Sequence, residues 1–195
     1  MQTFFATIDR YAEADDNSRQ AMEADIWQRY GVDRAVLALD MSEFSLSVRR
    51  DGVLSYLCRI RRMHAITGPV VLEHGGEVIK YEADNLLAAF ADANEAMKAA
   101  VEMRHLMMND ARAQPVSIGL AYGRILLIPN SDAHGDAVNT AFKLGEDLAE
   151  TGEILASRPF AEALGTDHRS DHCYRLEPQD ISIAGLRLDA FRVLA

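Results

Sequence analysis

Two aspartates close two separate strand-like runs. Asp40 ends the apolar run 34–40, and Asp84 ends the run 75–84, which also carries Lys80. A carboxylate at the end of a buried strand is costly unless something positive offsets its desolvation. Two such groups brought together suit a hard cation with oxygen ligands, such as Mg²⁺ carrying substrate phosphates. Farther on, the run 132–143 holds Asp132, Asn139 and Lys143. Each residue also has a plain reading. A strand-end aspartate is often a turn or cap residue, and Lys80, alternating with Val78, reads as a solvent-facing strand lysine. Asp132 reads as a turn residue, with Asp136 as the cap of the helix that follows. Asn139 is a middling helix former that a buried hydrogen bond would explain. Lys143, one turn beyond it on the same face, reads as a surface lysine.

The elements that must position these groups come from patterning. Residues 2 to about 29 read as helix with a broken apolar stripe (Phe4, Phe5, Ile8, Tyr11, Met22, Ile26), an arm over residues 1–30 that covers either its own core, the favoured reading, or a partner subunit. A strand follows at 34–41. Helical spacing then runs from Arg49 to Glu73, with Gly68 and Pro69 kinking or ending it. Runs at 77–81 and 86–90 flank Asp84 as a hairpin, and Asp92 caps a helix to about Met108. Residues 115–121 and 124–128 read as a second hairpin around Tyr122 and Gly123. A helix runs from Asp136 to about Glu150, then a short strand at 153–156, a short helix at 158–164, and strands near 180–184 and 187–194.

That order predicts an α+β fold, a ferredoxin-like βαββαβ core with extra C-terminal strands and an N-terminal helical arm, the domain proper covering 31–195. A right-handed crossover makes the first two strands parallel, so their C-terminal ends share one edge. Asp40 ends the first and Asp84 follows the second. The carboxylate pair is thus a consequence of strand order.

Composition bounds the partners. The 195 residues carry a formal net charge of -10, which disfavours nucleic acid or an anionic membrane as a partner. A nucleotide pocket would have to be locally basic or filled by metal. Cys58 and Cys173 are too few for a disulfide framework and fit a reducing cytosol. No apolar stretch reaches membrane-span length and the start lacks signal-peptide character, so a cytoplasmic protein is expected. Residues 167–173 place Asp167, His168, Asp171, His172 and Cys173 close together, but the spacing fits no zinc pattern and reads as a solvated loop. His134 reads as a surface histidine, Arg59, Arg61 and Arg62 as solvent-facing, and Met97, Met103, Met107 and Met108 as core packing.

The segments 39–44, 74–80 with Asp84, 117–123, 132–139 and 152–155, in this order and at these separations, resemble the class III nucleotide cyclase catalytic domain from about Arg34 to Leu164. The resemblance implies that Asp40 and Asp84, with the Met41 carbonyl, hold two Mg²⁺ or Mn²⁺ ions. It implies that Lys80 and Asp132 select the base, a donor and an acceptor complementing adenine. Asn139 matches the residue that orients the ribose, and Arg187 lies where a cation reaches the γ-phosphate. Lys143 stands in place of an arginine that steadies charge on the transferring phosphoryl, so the charge is kept and the planar fork lost. The resemblance further implies a homodimer, with the metal pair from one chain and the remaining groups from the other.

Two more departures matter. Ala83 stands where glycine usually precedes the metal aspartate, and alanine resists a positive φ. The connector 127–132 is several residues short. The leading expectation is an adenylate cyclase converting ATP to cyclic AMP and pyrophosphate. The alternative, favoured by Ala83 and Lys143, is a weak or silent cyclase-like domain that binds nucleotide or a regulatory protein partner. A diguanylate cyclase shares the core plan, but residues 81–86 lack its Gly-Gly-Asp/Glu-Glu-Phe hairpin signature.

Overall fold

The computed structural model describes residues 2–41, 44–129, 131–164, 174–183 and 186–195, with side chains throughout except at 2, 3, 44–47, 181–183 and 186–188. The elements are α1 (Gln2–Glu13), α2 (Asp16–Tyr30), β1 (Gly31–Met41), α3 (Phe44–Asp51), α4 (Val53–Glu73), β2 (Glu77–Glu82), β3 (Asn85–Phe90), α5 (Ala93–Asn109) and β4 (Val116–Ile128). There follow β5 (Asp132–His134), α6 (Asp136–Phe142), a π-helical turn (Lys143–Leu148), β6 (Ile154–Ser157), α7 (Arg158–Ala163), β7 (Arg175–Ile183) and β8 (Leu186–Leu194). The sheet order is β2-β3-β1-β4-β6-β8-β7, with β5 beside the end of β4. The first four strands with α4 and α5 make the ferredoxin-like core, and β6, β8 and β7 extend it. The fold class is α+β, as the patterning predicts.

β1 lies between β3 and β4, antiparallel to both. β2 is also antiparallel to β3. β1 and β2 therefore run the same way with one strand between them, and both end at the edge that carries Asp40 and Asp84.

β1 is covered on both sides, which is why it reads as a continuous apolar run. Ala35, Leu37, Leu39 and Met41 enter the main core with Met63 and Val71 of α4 and Met97 and Met103 of α5. Val36 and Ala38 face the other way, into a smaller cluster with Ala137, Val138 and Ala141 of α6. Strand alternation puts Asp40 on the α6 side with Ala38. Among the described residues no helix is long and apolar enough to cross a membrane.

Several local expectations are corrected. The arm is two helices, α1 and α2, broken where Asp15 caps the second by accepting from the Ser18 amide. The arm covers this chain's own β4: Phe4 and Ile26 pack on Ile128. Pro69 ends nothing. α4 runs through it to Glu73, and burial of Val70 and Val71 outweighs the hydrogen bond that proline removes. Gly135, not Asp136, caps α6, and Asp136 is its first residue. The helix expected to Glu150 gives way after Phe142 to the π-helical turn.

Residues 116–128 form one strand rather than a hairpin. Tyr122 and Gly123 are paired with Ala35 and Arg34 of β1, inside the ladder. Gly123 marks a close approach instead of a turn, since a Cβ there would lie 3.3 Å from Ala137 Cβ.

Candidate active site

Asp40 is the penultimate residue of β1, opposite Asn85 of β3 and Ser117 of β4. Its neighbours Leu39 and Met41 anchor the strand in the core, which fixes the carboxylate on the opposite face. Burial, then the charges of Asp84 and Glu146, push its pKa up from 3.8 to about 7. The strand end is thus a point of concentrated negative charge.

Asp84 occupies the tight turn between β2 and β3. Ala83 before it adopts φ +51°, the positive-φ non-glycine residue of the described chain. The left-handed conformation costs alanine roughly 1–2 kcal/mol. Glycine's usual place there is therefore explained by the backbone, and this chain makes the turn without it. Asp84 Oδ2 accepts a 2.7 Å hydrogen bond from the Tyr56 hydroxyl of α4. Burial and the adjacent Asp84 push the Tyr56 pKa upward, so the phenol stays a donor.

Glu146 enters from the π-helical turn and accepts from Asn85 Nδ2 at 2.8 Å. Two glycines allow this. A Cβ on Gly119 would lie 2.0 Å from the Ala141 carbonyl oxygen, and one on Gly145 2.9 Å from the Ala38 carbonyl oxygen. The end of α6 thus rests backbone to backbone on β1 and β4, two residues from Asp40. Burial, and then Asp147, Asp84 and Glu82, raise the Glu146 pKa.

Lys80 reaches this face through a β-bulge. Val78 and Tyr81 pack on the α4–α5 side and Ile79 on the α6 side, a pattern that strict alternation forbids. The β2–β3 register shifts between Val78 and Lys80, which re-aims the lysine. Its Nζ lies 3.1 Å from Asp132 Oδ1 and 3.1 Å from Glu82 Oε2. Partial burial works against its charge, but the bonds to Glu82 and Asp132 prevail and its pKa is raised. Asp132 is held in β5, and the same Oδ1 accepts from the Ala133 amide.

Asn139 and Lys143 are exposed on α6 and the first residue of the π-helical turn. Among the described residues neither side chain has a hydrogen bond or ion pair. Arg187 falls in β8 opposite Ser182, and its side chain lies outside the described residues, as does the whole of 167–173. His134 is exposed and stacks on Phe4 of the arm at 6.2 Å.

A divalent cation fits the donor chemistry of the β1 end. Asp40, Asp84 and the Met41 carbonyl are hard oxygens. Asn85 follows Asp84 and pairs with Asp40 in the ladder, and its Oδ1 is buried without a hydrogen-bond partner among the described residues. Among the described residues no cluster of three His, Cys, Asp or Glu side chains has metal-holding geometry, so neutral oxygens would have to supplement the two carboxylates. Tyr56, Asn85 and Glu146 carried no functional signal in the sequence. A tyrosine buried on a helix needs a partner for its hydroxyl, but nothing in the spacing around Tyr56 says which.

No family model and no curated protein matches this sequence. Solved structures do match its fold. The catalytic core of a rhodopsin-guanylyl cyclase with converted specificity, in complex with ATPαS, superposes with a TM-score of 0.73 at 18% identity over 85% of this chain and 97% of that one. An adenylate/guanylate cyclase/hydrolase from Silicibacter pomeroyi gives 0.69 at 24% identity, covering 85% and 98%. Adenylate cyclases from Trypanosoma brucei, in their monomeric state, give 0.73 at 11% identity, covering 83% and 87%.

Proposed function

We propose that this chain, which has the fold of the class III nucleotide cyclase catalytic domain, is an adenylate cyclase that converts ATP to 3′,5′-cyclic AMP and pyrophosphate at a homodimer interface. What supports the reading is the pairing of two constellations on one sheet: the carboxylates Asp40 and Asp84 at one edge, and the Lys80–Asp132 ion pair on the α6 face. The ion pair is the resting state expected of two groups that separate to receive a base.

Asp40, Asp84 and the Met41 carbonyl would hold two Mg²⁺ or Mn²⁺ ions. Bound there, the cations supply the acidity that ionises the ribose 3′-hydroxyl and the charge that neutralises the triphosphate. Lys80 donates to adenine N1 and Asp132 accepts from the exocyclic amine; guanine presents the reverse polarity. Asn139 of the second chain orients the ribose. Lys143 steadies charge on the transferring phosphoryl as a point charge without a fork, and Arg187 meets the γ-phosphate. One two-fold axis generates both composite sites.

Purified protein incubated with Mn²⁺ and either ATP or GTP, read by mass detection of the cyclic product, tests this directly. Cyclic AMP from ATP with little product from GTP is expected. Equal rates on both would refute the Lys80–Asp132 assignment. A second reading, a nucleotide-binding or protein-binding regulatory module, draws on Lys143 and on the left-handed Ala83. Nucleotide binding with no cyclic product from either substrate would favour it.

A further inference from the structure

The hairpin tip that carries Asp84 is held from two sides by groups the reading above leaves without a role. From α4, Tyr56 donates its hydroxyl to Asp84 Oδ2 at 2.7 Å, while its ring is 2% exposed in the main core. From the π-helical turn, Glu146 accepts from Asn85 Nδ2 at 2.8 Å, and Asn85 both follows Asp84 and pairs with Asp40. Neither contact is local: they span 28 and 61 residues of chain.

Each anchor is itself fixed. The Tyr56 ring is packed in the core, so its hydroxyl cannot swing away. Glu146 follows Gly145, whose missing side chain lets the π-helical turn sit against the Ala38 carbonyl. π-helical segments are rare and recur at functional sites, and this one brings Glu146 to the tip. Packing alone requires neither bond, because phenylalanine fills the Tyr56 space and Glu146 is on the surface.

We propose that Tyr56 and Glu146 are positioning residues that clamp the β2–β3 tip, so that Asp84 and Asp40 meet a divalent cation at a fixed spacing. The proposal rests on the cation reading above. Hydrogen bonds behind a ligating carboxylate choose which oxygen faces the ion, and losing one costs about 10–100-fold in metal affinity. Tyr56 takes one lone pair of Asp84 Oδ2, which leaves Oδ1 the freer oxygen for the ion.

Mn²⁺ alone is the probe, titrated into the full chain without nucleotide and followed by its electron paramagnetic resonance signal. Thermal melting of each variant reports on the fold. Tyr56→Phe, which removes one hydroxyl, is expected to raise the Mn²⁺ Kd about tenfold or more with little change in melting temperature. Glu146→Gln keeps an acceptor for Asn85 and is expected to bind more tightly than Glu146→Ala. If Tyr56→Phe and Glu146→Ala bind Mn²⁺ like the wild type while Asp84→Ala does not, the clamp is overturned and the cation reading stands. If Asp84→Ala also binds like the wild type, the cation reading falls and takes the clamp with it.

Discussion

The two halves of the proposed site are built to different specifications. Asp40 and Asp84 are tied into their own chain by paired strands, by Tyr56 and by the Asn85–Glu146 bond. Asn139 and Lys143 stand exposed, without hydrogen bonds or ion pairs among the described residues. A carboxylate pair serves a cation only if its spacing is set in advance, so internal bonds help it. Groups that act on a substrate held by another chain must face outward and find their partners there. Under the proposed composite site, one chain would carry one half finished and offer the other half to its partner.

Mixing variants breaks the comparison most severely. Asp40→Ala and Asn139→Ala chains are each expected to lose turnover by roughly 10³-fold, the scale of removing a group that stabilises transition-state charge. Random mixing should restore about a quarter of wild-type activity, since half the dimers regain one intact site. No recovery, with heterodimers demonstrated by native mass spectrometry, would mean that the outward half serves its own chain. A smaller effect belongs to that half alone. Lys143→Arg restores the planar fork and is expected to raise turnover by about tenfold; unchanged turnover would return Lys143 to the surface.

The finished half carries a pH signature. The folded chain binds the Asp40 proton more tightly than the unfolded chain, since the pKa rises from 3.8 to about 7. Its contribution to stability is therefore fully present below about pH 4 and lost as pH rises through 7. Asp40 is only partly buried, so solvent screening keeps the effect to about 1 kcal/mol, a melting shift of about 2–4 °C in a chain this size. His74, which partial burial opposes but the bonds to Glu102 and Glu95 raise, adds a slope of the same sign. Asp40→Asn isolates the site: melts of the cation-free variant should lose the Asp40 part of the slope and gain stability at pH 8. Smallest is Ala83→Gly, which relieves the left-handed turn. After the entropy glycine adds to the unfolded chain, a net gain of about 0.5–1 kcal/mol is expected. A lower melting temperature would show that the turn is unstrained.

The halves also differed in how far the sequence revealed them. The run ending at Asp40, the hairpin around Asp84 and the Asp92 cap are local patterns, and strand direction then follows from topology. Lys80 was found but its face was not, because the bulge at Ile79 reverses the alternation from which a face is read. Tyr122 and Gly123 looked like a turn because glycine serves equally for turns and for close approach, and α6 packing decides between them. The π-helical turn had no local sign. Glycine at 145 lowers helix propensity, and only contact with Gly119 and Ala38 shows why it is there. Tyr56 and Glu146 meet their partners across long stretches of chain, which periodicity does not reach.

The position of β1 between β3 and β4 also governs timing. The β2–β3 hairpin is local and closes on the microsecond scale, so Asp84 has its turn early. Asp40 arrives only when β1 is paired on both sides, and its β4 partners lie far along the chain. Such non-local pairings form late. A divalent ion held by both carboxylates therefore has nothing to grip in a half-made sheet. It would leave the refolding rate almost unchanged and act instead on unfolding, lengthening the lifetime of the native chain.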